Sequence, residues 1–224
     1  MAQLKDALVY VMCMLGAGES SAAFLRALDN CIENLPPTVA PSYAGLMLSR
    51  QPFALRAQFS GFTRDSLRAF LDTLQFQSVP ESFSAALDLS DRYFQSFVFC
   101  VDLTPEMSAR LGIELFPRQY REGMNDSVFL DDLVSKGLCS DAKREGALAW
   151  PGRIEPGGNV QNWPEQLLIE SLVKPSDEFG LIERQINHFK LVSTPGHSVE
   201  AKIYLAANHL WASFSGDNAS ARDE

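Results

Sequence analysis

The stretch INHFKLVSTPGHSVEAKIYLAA, residues 186–207, decides the fold. It alternates apolar and polar residues on both sides of Pro195-Gly196. Phe189 and Leu191, then Val199, Ala201, Ile203 and Leu205, share one face, because successive side chains in a strand point to opposite sides. His188, Lys190, Glu200, Lys202 and Tyr204 share the other. Two strands joined by so short a turn run antiparallel. A slip of one residue would mix the two faces, so the parity of the pairing is set. Two registers keep that parity. A loop from Pro195 to His197 sets Lys190 opposite Lys202, and a loop from Ser193 to His197 sets it opposite Glu200. Opposed lysines repel by up to about 1 kcal/mol, an arrangement that makes sense if an anion sits between them. The Glu200 register needs only a solvated cross-strand pair.

The same alternation occurs twice more upstream. In PFALRAQFSG (52–61), Phe53, Leu55, Ala57 and Phe59 oppose Arg56 and Gln58. FQSFVFCVDL (94–103) and ARLGIELF (109–116) form a second expected hairpin, with Phe97, Phe99, Val101, Leu103, Leu111, Ile113 and Leu115 apolar, and Ser96, Cys100, Asp102, Arg110 and Glu114 opposite. Helical spacing separates these units. Leu4, Leu8, Val11 and Leu15 repeat at one helical period, and Phe24, Leu28, Ile32 and Leu35 at another, with Ser20 or Ser21 as cap and Pro36-Pro37 as stop. Thr63 caps a third helix, Pro80-Glu81 opens a fourth, and residues 125–137 and 140–150 read as two more, with Gly137 closing one and Ser140 capping the other. A short helix starts after Trp163-Pro164. TVAPSYAG (38–45) and PGRIEPGGNVQNWP (151–164) read as loops from their prolines and glycines. The expected class is α+β: an antiparallel sheet, open or partly closed into a barrel, with helices on one face. Residues 1–224 form one expected domain, with 212–224 as a frayed polar tail.

Composition narrows the function. The formal net charge is -9 with 21% charged residues, which argues against a broad nucleic-acid footprint or an anionic membrane surface. ALVYVMCMLGAG (7–18) resembles a signal-peptide core, but Asp6 and the amphipathic continuation argue against one. No apolar run is long enough to span a bilayer, so the expected location is cytoplasmic. Cys13, Cys31, Cys100 and Cys139 lie far apart with no CxxC, and read as buried hydrophobes, Cys100 being the one thiol worth testing. His188, His197 and His209 match no metal-site spacing, so no metal is expected. No GxGxxG, P-loop, GxSxG or HExxH pattern occurs, and no cofactor is expected.

The expected functional surface lies on the polar sides of these strands. Placed in one sheet, they concentrate Arg56, Arg110, Lys190 and Lys202 in an otherwise acidic chain. Such a cluster suits a phosphate, diphosphate or carboxylate. These four are the candidate ligand-binding residues. Glu114, His188 and Tyr204, on the same face, are the candidate catalytic groups.

Two stretches, FLDDLVSKGLCSDAKREGALAWPG (129–152) and the opening hairpin, resemble uncharacterised bacterial proteins, some associated with biosynthetic clusters for ribosomally made, modified peptides. That resemblance implies an accessory or tailoring role, with a peptide or small anionic molecule as partner. The alternation of helix pairs with antiparallel hairpins is also similar to the αββα barrel of aromatic prenyltransferases. This second resemblance implies that Arg56, Arg110, Lys190 and Lys202 hold a diphosphate, that Tyr204 shields a carbocation and that Glu114 acts as base. The chain departs from that barrel in having three strand-rich units rather than five. Two functions follow as expectations: a binding or accessory protein for a peptide or small anionic ligand, and a cofactor-independent tailoring enzyme such as a group transferase using a diphosphate donor.

Overall fold

The computed structural model describes residues 6, 10, 14, 18–48, 54–74, 81–104, 109–155, 163–174, 178–194 and 197–213. The first expected helix (apart from residues 6, 10 and 14), Phe53, the turn at Pro195-Gly196 and the tail from 214 lie outside them. The fold is α+β. Seven antiparallel strands form one sheet that does not close on itself: β1 Ala40–Met47, β2 Ala54–Ser60, β3 Val98–Leu103, β4 Ala109–Leu115, β5 Gly152–Ile154, β6 Glu178–Ser193 and β7 Glu200–Ser213. The helices are α1 Gly18–Glu33, α2 Arg64–Thr73, α3 Glu81–Tyr93, α4 Asp126–Ser135, α5 Asp141–Ala149 and α6 Glu165–Ser171. None of the described helices is long and apolar enough to cross a membrane.

The helix starts follow local chemistry. Thr63 Oγ1 accepts from the Ser66 backbone at 3.2 Å while Ser66 Oγ accepts from the Thr63 backbone at 2.9 Å, a reciprocal cap on α2. Ser140 caps α5 through Lys143 N–H, and Asn125 caps α4 through Val128 N–H. Gly137, at φ 69°, takes the left-handed turn that ends α4.

β2, β3, β4 and β6 lie side by side, with β7 pairing the outer side of β6. Their apolar faces meet the helices in one core. Phe59, Phe62, Phe70 and Phe99 pack with ring centroids 5.1–6.5 Å apart. Phe129 joins Phe94 and Phe189, both at 5.0 Å. Phe99, Val101, Leu111, Ile113, Phe189 and Leu191 are all buried, as their alternation requires, and Ile203 packs partly buried at the margin.

Four expectations are corrected. Leu205 is 46% exposed rather than part of the core; among the described residues, β7 has no strand on its outer side. Residues 40–45, expected as part of a loop over 38–45, belong to the edge strand β1; Pro41 is tolerated there because an edge strand has one unpaired side. A shift in register between Pro41 and Tyr43 absorbs it. Gly45 then leaves space for the Tyr43 ring, whose hydroxyl would lie 2.3 Å from a Cβ at that position. Gly152–Ile154, also expected as loop, pairs with β6, and residues 156–162 lie outside the described set. Finally, the closing hairpin starts at Glu178 and runs through Ser213, so Ala212 and Ser213 belong to the sheet rather than to a tail.

Candidate functional site

Lys190 faces Lys202 across the hairpin, the register of the shorter loop. On its other side Lys190 faces Glu114 of β4. The Lys190 ammonium donates to Glu114 Oε1 at 2.7 Å, with both side chains buried. Gln58 donates to the same oxygen at 3.2 Å. The lysine reaches it by passing over Gly112, where a Cβ would lie 2.8 Å from Lys190 Cε. An interior glycine in an alternating strand marks such a close approach, and Gly112 is a site residue that the alternation of its neighbours obscures.

A second pair lies two rows away, beyond the row of Gln58, Cys100 and Gly112. Arg56 Nε donates to Asp102 Oδ1 at 2.7 Å and Arg56 Nη2 to Oδ2 at 3.1 Å. Such two-pronged contacts are the geometry in which guanidinium binds carboxylate best. Arg110 stands opposite Asp102 on the third strand of that row. Its Nε is buried without a hydrogen-bond partner. Lys202 has Glu200 Oε2 of its own strand at 3.7 Å, and that glutamate is exposed.

Arg56, Asp102, Arg110, Lys190, Lys202 and Tyr204 border one shallow depression of about 40 Å³, floored in part by Cys100 and Gly112. A single water occupies roughly 10–15 Å³ on that scale, so the depression fits one carboxylate or phosphoryl group. Enclosed small-molecule pockets are several hundred Å³ in size. Beside it, His188 stacks on Tyr204 at 4.3 Å with the rings 13° apart, and Phe116 continues the aromatic row at 5.3 Å. His188 Nδ1 is buried with no partner.

Burial and pairing set the proton states. Burial pushes the Glu114 carboxyl up, but the hydrogen bond and charge of Lys190 outweigh it and hold it below the usual value. Burial holds His188 below its ordinary value; Glu114 pulls it up and Lys190 pushes it down. Cys100 is pushed up to about 12 by burial, despite Lys190. It is therefore a thiol at neutral pH, not a nucleophile. Cys31 and Cys139 are buried and free as well.

All seven sequence-derived candidates thus lie on one face. Arg56, Arg110, Lys190, Lys202 and Tyr204 border the depression; Glu114 lies behind Lys190; His188 backs Tyr204. Arg56 and Lys190 hold buried carboxylates, and Lys202 has only the exposed Glu200 at 3.7 Å. Among the described residues, no group of three histidines, cysteines or carboxylates is placed to hold a metal. No family model, no curated protein and no solved structure matches the chain.

Proposed function

We propose that the polar sheet face binds an anionic group of a peptide or small molecule, in a binding or accessory role. The observation that carries this is Arg110: a guanidinium nitrogen buried without a partner, in a depression shared with Lys202 and two engaged cations. Desolvated donors of this kind gain most from a charged acceptor. The depression's size favours a single carboxylate or phosphoryl group, and the open sheet favours capture over enclosed chemistry. The resemblance to proteins of modified-peptide clusters supports reading that role as part of natural-product biosynthesis.

Titration calorimetry with acetate, phosphate and pyrophosphate tests it. At least one should bind, and Arg110→Met and Lys202→Met should each weaken binding about tenfold or more, as loss of a charge-assisted contact does. Unchanged binding in both variants, or no binding of any of the three anions, would refute the proposal.

A second function is supported by a different observation: a carboxylate, Glu114, and an aromatic pair, His188 and Tyr204, adjoin the same cations. In transfer from a diphosphate donor, the carbon–oxygen bond breaks and diphosphate leaves with the electron pair. The acceptor bonds to that carbon, and its proton passes to a base. Glu114, kept ionised by Lys190, is the base this face offers, and the cations are suited to the leaving group. Release of pyrophosphate from a prenyl diphosphate and acceptor peptide, abolished by Glu114→Gln, would establish it over simple binding.

A further inference from the structure

The long strand β7 carries the inference. It pairs with β6 along its whole length on one side. On its other side, Ala201 N–H donates to Leu138 O at 3.3 Å, and Ala201 O accepts from the Lys143 ammonium. These bonds show that Ala201 points its backbone groups away from β6. The period of two along a strand gives the same outward direction to the N–H and C=O of Ile203 and Leu205. Among the described residues, no backbone or side-chain group reaches those outward positions. Natural sheets guard such edges with prolines, charges or covering segments. From Ile203 to Ser213, β7 has no proline and no carboxylate or lysine, and Tyr204, Leu205 and Leu210 are each at least 40% exposed.

At the near end stands Lys202, which borders the cationic depression. An edge lysine keeps strands from pairing indiscriminately. A strand that brings a carboxylate to it lifts that bar. From these features we infer that β7 is a docking edge for an extended acidic peptide, added antiparallel as one more strand. The inference rests on the anion-binding role proposed above and assigns its ligand and its geometry.

Register follows from the pleat. Peptide residues opposite Ile203 and Leu205 turn their backbone groups to β7 and their side chains to the apolar face. Residues opposite Lys202 and Tyr204 turn their backbone groups away and their side chains onto the polar face, about 4.5–5.5 Å from the facing side chain. A carboxylate opposite Lys202 therefore lies at the rim of the depression that Arg110 lines. Main-chain bonds supply affinity, and alternate side chains supply selection.

Fluorescence anisotropy with a labelled peptide of about eight residues alternating valine and glutamate tests this, that length reaching along β7 from Lys202 to about His209, since paired strands match residue for residue at about 3.3 Å each. The peptide should bind, its valine–lysine counterpart should not, and Lys202→Met should weaken binding about tenfold. N-methyl groups on the valines should abolish binding, because those amides face β7. N-methyl groups on the glutamates should be tolerated. Equal effects of the two methylation patterns would overturn the edge-pairing mode. So would binding of pyrophosphate in a Lys202-dependent way with no binding of the peptide; in both cases the anion-binding role survives. If Lys202→Met alters neither pyrophosphate nor peptide binding, the inference falls; if Arg110→Met also leaves pyrophosphate binding unchanged, the anion-binding role falls with it. A dimer in sedimentation that Leu205→Pro dissociates would give the edge to a second copy of the chain and overturn the inference.

Discussion

The two halves of the β6–β7 hairpin have the same pairing and opposite surroundings. In the near half, Phe189 and Leu191 are fully buried, β4 flanks β6, and helices cover the apolar face. In the far half, among the described residues, only the three residues of β5 pair with β6 on the side away from β7, and Leu205 and Leu210 are each more than 40% exposed. A register irregularity between Ile186 and His188 separates the halves. Identical ladder bonds thus coexist with very different burial. What distinguishes a core strand from a projecting ribbon is the neighbour it packs on, because hydrophobic stabilisation scales with area removed from water.

The sharpest way to break this comparison is to truncate a side chain in each half. Phe189→Ala should cost about 3–5 kcal/mol in urea unfolding, as large aromatic truncations in cores do. Leu205→Ala should cost under about 1 kcal/mol, since half-exposed sites lose little. Equal losses would mean that the far half is packed on something outside the described residues.

The near half also contains the buried ion pair. Glu114→Ala should lower stability by about 3–5 kcal/mol, because it strands a buried ammonium. Glu114→Gln should cost less, since its amide oxygen can still accept from Lys190 and Gln58. A smaller loss for the alanine than for the amide would show that Lys190 escapes to solvent once released.

Gly112→Ala is expected to be intermediate, about 1–3 kcal/mol, as overpacking usually is. Its Cβ would meet Lys190 Cε at 2.8 Å and push the ammonium off Glu114. Gly146→Ala is the control. It lies in α5, where a Cβ meets nothing within 4 Å, and alanine there should stabilise by up to about 1 kcal/mol. The two changes should differ in sign.

The smallest effect concerns pH. His188 is held below its ordinary value of 6.5 by burial, so the folded chain binds fewer protons there than the unfolded one. Its contribution is present above that value and lost as pH falls from about 6.5. Glu114, held below its ordinary 4.5, adds stability that is lost at still lower pH. His188→Phe should remove the first decline in melting temperature and leave the second. A decline that persists unchanged near pH 6 would place it on other groups.

Much of the fold was legible in the order of residues. Period-two alternation in 52–61, 94–103, 109–116 and 186–207 identified the inner strands and the side of each that faces the helices, because a pleat offers only two directions. Caps at Thr63 and Ser140 were readable because they act within one turn. The gathering of Arg56, Arg110, Glu114, Lys190 and Lys202 on one face also followed from parity. The strands β1 and β5 were not legible, since proline and glycine signal local chain breaks, while pairing energy comes from a partner strand distant in sequence. Leu205 reads like Leu191 in pattern, yet it is exposed where, among the described residues, β7 has no outer neighbour. The sequence left two registers for Lys190, and only the folded hairpin chose Lys202. That choice is tolerable because Glu114, brought in by β4, neutralises Lys190 from the other side. Charge partners of this kind are set by which strands become neighbours, which no stretch of one strand encodes.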